Sequence, residues 1–88
     1  MIFQVSFTYE SGFRDSVHQR FLETEGAPAP QQVGMIGRWH HVEGNGGVIL
    51  AEASDPRAIA KWLQQWTDLL SFDVRPVIED EDFAAVIG

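Results

Sequence analysis

Cysteine is absent from this 88-residue chain, which excludes disulfides, thiolate metal sites and a cysteine nucleophile together. Positive charge is scarce. Six Lys and Arg against thirteen Asp and Glu give a formal net charge of -7, and the basic residues never form a run, so nucleic acid is not an expected partner. Apolar runs are short, none approaching the roughly 18 residues of a membrane-spanning helix. Met1 leads directly into "IFQVSFTY", with no basic segment or small-residue cleavage site of a signal peptide. A cytoplasmic chain without membrane attachment is the expectation.

The length suits one domain, residues 1–88, with no room for a second core. A chain of this size removes only about 60% of its unfolded surface from water, while ordering costs about 1.5 kcal/mol per residue. With disulfides unavailable, self-association is the expected remedy.

Residues 2–9 alternate, placing Phe3, Val5, Phe7 and Tyr9 on one face of a strand and Ile2, Gln4, Ser6 and Thr8 on the other. The period then changes: Phe13, Val17 and Phe21 recur every four residues, an amphipathic helix closing at Gly26. "APAPQQ" follows as an internal linker, its prolines unsuited to helix or ladder. Residues 33–42 and 48–53 read as two strands joined antiparallel through "EGNGG". "SDPRAIAKWLQQWTDLL" is a helix with Ser54 or Asp55 as N-cap, Pro56 in the first turn, and Ile59, Trp62, Leu63, Trp66 and Leu70 on one stripe. Residues 72–78 form a fourth strand. "EDEDFAAVIG" begins with acids suited to a helix N-terminus, and its short periodicity does not choose between packing on its own sheet edge and on a partner.

The order β-α-β-β-α-β predicts an α+β, ferredoxin-like fold with a four-stranded antiparallel sheet. Two helices cover one sheet face and leave the other open. Alternation assigns Ile2, Gln4, Ser6, Thr8, Val48, Leu50, Glu52, Asp73, Arg75 and Val77 to the open side. The second strand has two possible registers. A turn of odd length pairs His40 with Leu50 and Arg38 with Glu52, gathers Arg38, His40, Glu52, Arg75 and Gln4 on the open face, and sends Trp39 into the helix-side core. An even turn instead puts Trp39 and His41 on the open face. The odd register is expected, because it gives Arg38 a carboxylate rather than burying it under helices.

Adjacent histidines on a strand point to opposite faces, so His40 and His41 cannot serve one pocket. His18 has no H-x-x-x-H companion, and no metal or other cofactor is expected. The acids at 79–82 lack the spacing of a calcium loop. No serine sits in a G-x-S-x-G elbow. His40 is the candidate catalytic base, since imidazole titrates near neutrality; Arg38, Trp39, His40, Glu52 and Arg75 are the candidate ligand-binding set. A polar interface that merely satisfies these side chains is the plainer alternative.

"FQVSFTY", "GRWHHVEGNGG", "ILAEASD" and "WLQQWTDLLSFDVRPVIEDED" together resemble a family of short bacterial proteins known as domain of unknown function 3303. The resemblance spans nearly the whole chain, and its most specific parts are G-R-W-H before a glycine-rich turn, Glu52, and W-x-x-x-W-x-D-L-x-x-F over residues 62–72. It implies a branch of the dimeric α/β-barrel proteins, in which two ferredoxin-like chains bring their open sheet faces together as a homodimer. Relatives in that wider group include cofactor-independent monooxygenases, haem-binding or haem-degrading enzymes, muconolactone-isomerase-like proteins and small ligand binders. The implied functions are thus binding of a small anionic or aromatic molecule in a cavity on the sheet face, an oxygenase- or isomerase-like reaction, or a purely structural dimer.

Overall fold

The computed structural model describes residues 1–88. The chain runs through β1 (Ile2–Thr8), a short 3-10 turn (Ser11–Phe13), α1 (Arg14–Glu23), β2 (Gly34–His40), β3 (Gly46–Glu52), α2 (Pro56–Gln64), β4 (Ser71–Val77) and α3 (Asp80–Ile87). The strands form one antiparallel sheet in the order β2-β3-β1-β4. This is the anticipated ferredoxin-like α+β architecture.

Alternation in β1 sets the two faces. Phe3, Val5 and Phe7 are buried, and their partners Ala51, Ile49 and Gly47 in β3 and Pro76, Val74 and Phe72 in β4 share that side. α2 covers it with Ile59, Trp62 and Leu63. The helix starts where it does because the Asp55 side chain accepts the Arg57 N–H at 2.9 Å, with Pro56 at the first helical position. Each large apolar side chain removed from water here contributes about 1.5–3 kcal/mol. The other face, with Gln4, Leu50, Glu52 and Arg75, has no helix over it.

α1 ends in a Schellman motif: the Gly26 N–H donates to Phe21 O at 2.8 Å and the Glu25 N–H to Leu22 O at 3.1 Å. Glu25, Gly26 and Ala27 all have positive φ, at 59°, 92° and 46°. Only Gly26 adopts that conformation without steric cost.

The second strand corrects the expected register. Glu52 pairs with Gly34, Leu50 with Gly37, Ile49 with Arg38, Val48 with Trp39 and Gly47 with His40. The predicted pairs Arg38–Glu52 and His40–Leu50 do not form. Gly46 and Gly47, assigned to the turn by their composition, are strand residues instead, and the His41 N–H donates to Gly46 O at 2.7 Å. The turn between that last pair is residues 42–45, of even length. A bulge between Met35 and Gly37 restores Met35 to the helix side opposite Ala51. Arg38 and His40 therefore face the helices. Trp39, predicted for the core, lies on the open face, 56% exposed, its indole over Gly37.

Candidate functional site

Between α1, α2 and the helix side of the sheet lies a cavity of about 500 Å³. It exists because α1 does not settle onto the sheet: its only buried residue is Val17, and Phe13, expected on the same stripe, is exposed. Phe7, Ile49 and Phe72 rise from the sheet, Val17 and Phe21 from α1, and Trp62, Leu63 and Trp66 from α2. Twelve of its sixteen lining residues are hydrophobic, so the body of any occupant would be apolar.

Side-chain contacts hold α1 in this raised position. The Arg20 guanidinium donates to both Asp68 carboxylate oxygens at 2.8 and 2.7 Å and to Gln65 O at 3.0 Å, and lies 5.3 Å from the Trp66 ring centroid. These contacts join α1 to the end of α2. Tyr9 Oη and His18 Nε2 are hydrogen-bonded at 3.1 Å, tying the helix to the end of β1.

Arg38 forms the polar end of the cavity. Its guanidinium donates to Ala27 O at 2.9 Å and, at close range, to Gly26 O, and it lies 5.2 Å from the Phe21 ring centroid. Burying a charge requires such partners, and here they are neutral carbonyls of the loop after α1. No carboxylate forms a salt bridge with it: the acids that pair with arginine are Asp15, Asp55, Asp68 and Asp73. Removal from solvent lowers the Arg38 pKa from its ordinary value, an arginine remaining cationic throughout the physiological range. Of its five N–H donors, those outside the two carbonyl bonds have no protein partner.

His40 is flanked by Phe7 and Phe21, with ring centroids at 5.8 and 5.5 Å in edge-on geometry. Desolvation, then the charges of Arg38 and His18, hold its pKa below the ordinary histidine value. Neutral imidazole is therefore the form at pH 7, able to accept one proton and donate another hydrogen bond.

The five predicted ligand-binding residues divide between two faces. Arg38 and His40 line the cavity on the helix side. Trp39, Glu52 and Arg75 lie on the open side, where Arg75 is paired with Asp73 at 3.3 Å. The single cluster expected on the open face is not assembled. Phe21 and Trp66, expected on sequence simply to pack in the core, lie against Arg38 and Arg20; the first contact depends on the β2 register and the second on how the two helices meet. No group of three His, Asp or Glu side chains is placed to hold a metal ion.

The whole chain, residues 1–88, matches the family described as "Domain of unknown function (DUF3303)". The chain belongs to the DUF3303 family. No curated protein matches it. Among solved structures, the DUF3303 chain is similar to Rv0793 from Mycobacterium tuberculosis, with a TM-score of 0.52 at 11% identity, over 90% of this chain and 96% of that one. At that identity the likeness supports the ferredoxin-like fold. No helix of the DUF3303 chain is long and apolar enough to cross a membrane.

Proposed function

We propose that this DUF3303 chain is a small-molecule-binding protein whose ligand is an apolar body with an acidic end, held between α1, α2 and the sheet. The observation that carries the reading is Arg38: a partly buried cation without a carboxylate partner, on the wall of an apolar cavity of about 500 Å³. A ligand carboxylate would give the guanidinium the counter-charge that no residue supplies, by a charge-assisted bond. Phe7, Phe21, Trp62 and Trp66 would surround an aromatic or aliphatic body. The cavity lies on the face opposite the open sheet surface.

The protein works, on this reading, as a homodimer closed over that open surface. The reason is unbalanced layering: Ile2, Val48, Leu50 and Val77 are only half-buried, Trp39 is exposed, and no element of the same chain covers them.

Calorimetric titration with naphthoate and with uncharged naphthalenemethanol tests the ligand assignment. Naphthoate is expected to bind at least about tenfold more tightly, the equivalent of about 1.4 kcal/mol, and Arg38→Met to abolish the difference. Equal affinity for acid and alcohol, or an unchanged preference in the variant, would remove Arg38 as the recognising group.

A further inference from the structure

α3 contributes no residue to the hydrophobic core. Asp80–Ile87 follows β4 after only Ile78 and Glu79, and none of its residues is buried. Phe83, Val86 and Ile87, spaced i, i+3 and i+4, lie on one stripe and are 54%, 74% and 70% exposed. An eight-residue helix is unstable alone in water, because forming the first turn is costly and only packing repays it. Acids at 80–82 complement the helix N-terminus, a contribution too small to replace packing.

The dimensions of the chain are those of a molecule with surface left to bury. The molecule is elongated, 48 × 27 × 18 Å, with a radius of gyration of 14.3 Å, where a compact chain of this length would have about 12 Å. Its accessible surface is 6257 Å², against about 5,200 Å² expected of a compact monomer of the same mass. The surplus, roughly 1,000 Å², is close to the roughly 800 Å² that each partner buries in a standard interface. Along the chain, the apolar residues of this arm follow directly on Val77, which stands opposite Ile2 on the open side of the sheet.

We infer that α3 is a docking arm, and that its occupant is a second copy of this chain: Ile78, Phe83, Val86 and Ile87 of each protomer pack on the other. The inference rests on the homodimer reading and adds to it, since it makes α3, rather than the sheet face alone, the element that holds the two chains together. The like charge of the two copies opposes association at long range, so added salt should tighten the dimer.

Sedimentation of the full chain and of a Phe83→Glu, Val86→Glu double variant tests it, with circular dichroism to establish that the variant retains its fold. The wild type is expected at twice 9.9 kDa, and the variant to dissociate at least about tenfold more readily. The cysteine-free sequence allows a second measurement: a nitroxide on Ala85→Cys of an unlabelled chain should broaden amide signals of an isotope-labelled partner. A wild-type dimer whose dissociation constant is unaltered by the substitutions, with no broadening between chains, overturns the arm and leaves the sheet-face dimer standing. A wild-type monomer overturns both.

Discussion

His40 stands directly opposite Gly47 across the β2–β3 ladder, on the side of the sheet that faces the helices. Because residue 47 has no side chain, the Phe7 ring can meet the imidazole edge-on; a Cβ there would lie 2.5 Å from Phe7 Cζ and still closer to the Trp39 carbonyl oxygen. The pairing thus fixes both the face that His40 occupies and the aromatic floor of the cavity.

Gly47→Ala is accordingly expected to destabilise the fold by about 1–3 kcal/mol, the usual cost of forcing extra volume into a packed site. Urea unfolding measures it. A change within about 0.5 kcal/mol, the range of ordinary surface substitutions, would mean that Phe7 is free to move and that the floor is not set by this glycine.

Arg38 secures the loop after α1 as well as marking the cavity. Arg38→Met leaves the Gly26 and Ala27 carbonyls without their donors, and the expected loss in the absence of ligand is about 1–3 kcal/mol. Arg38→Lys retains the charge but not the fork that reaches two carbonyls, so it should fall between Met and wild type in chemical denaturation. A lysine variant as stable as the wild type would show that the paired geometry is unimportant.

Much of this architecture was legible in the alternation of β1, β3 and β4, where Phe3, Val5 and Phe7 identify the buried side and their partners follow by register. β2 was not, for a definite reason. "GNGG" composition fits a turn, yet Gly46 and Gly47 are ladder residues because β1 passes too close for a side chain, a Cβ at Gly46 meeting Thr8 Cα at 3.3 Å. The turn consequently changes parity, and the β2 residues from Gly37 to His40 change face, while the bulge returns Met35 to the helix side. Nor could periodicity reveal the cavity: Phe13, Val17 and Phe21 predict a closely packed helix, whereas α1 is held off the sheet by contacts from distant parts of the chain, Arg20 with Asp68 and Arg38 with the loop carbonyls.

The left-handed conformation of Glu25 offers a gain in stability. Glu25→Gly removes the Cβ penalty at an exposed Schellman position with φ of 59°, and should raise stability by up to about 1 kcal/mol, partly offset by the greater freedom of glycine when unfolded. Thermal melts of the two proteins decide it; a lower melting temperature in the glycine variant would count against strain at this position.

pH acts through His40 and Asp68 in separate windows. The His40 pKa is depressed in the folded state by desolvation, Arg38 and His18, so the unfolded chain takes up a proton first as pH falls. Stability should therefore be full above about pH 6.5, the ordinary histidine value, and decline below it, with His40→Gln flattening that part of the curve. Asp68, depressed by its bonds to Arg20, gives a second decline only below the ordinary Asp value of about 3.9. A wild-type curve level between pH 7 and about pH 5 would contradict the desolvation of His40 beside Phe7 and Phe21, the largest cause of its lowered pKa.

On the proposed function, the helix side of the sheet, not its open face, receives the ligand. Amide chemical-shift mapping during a naphthoate titration tests it most directly. Shifts concentrated at Phe21, Ala27, Arg38 and His40, with Leu50, Glu52 and Arg75 unmoved, are the predicted result; shifts confined to Leu50, Glu52 and Arg75 would contradict it.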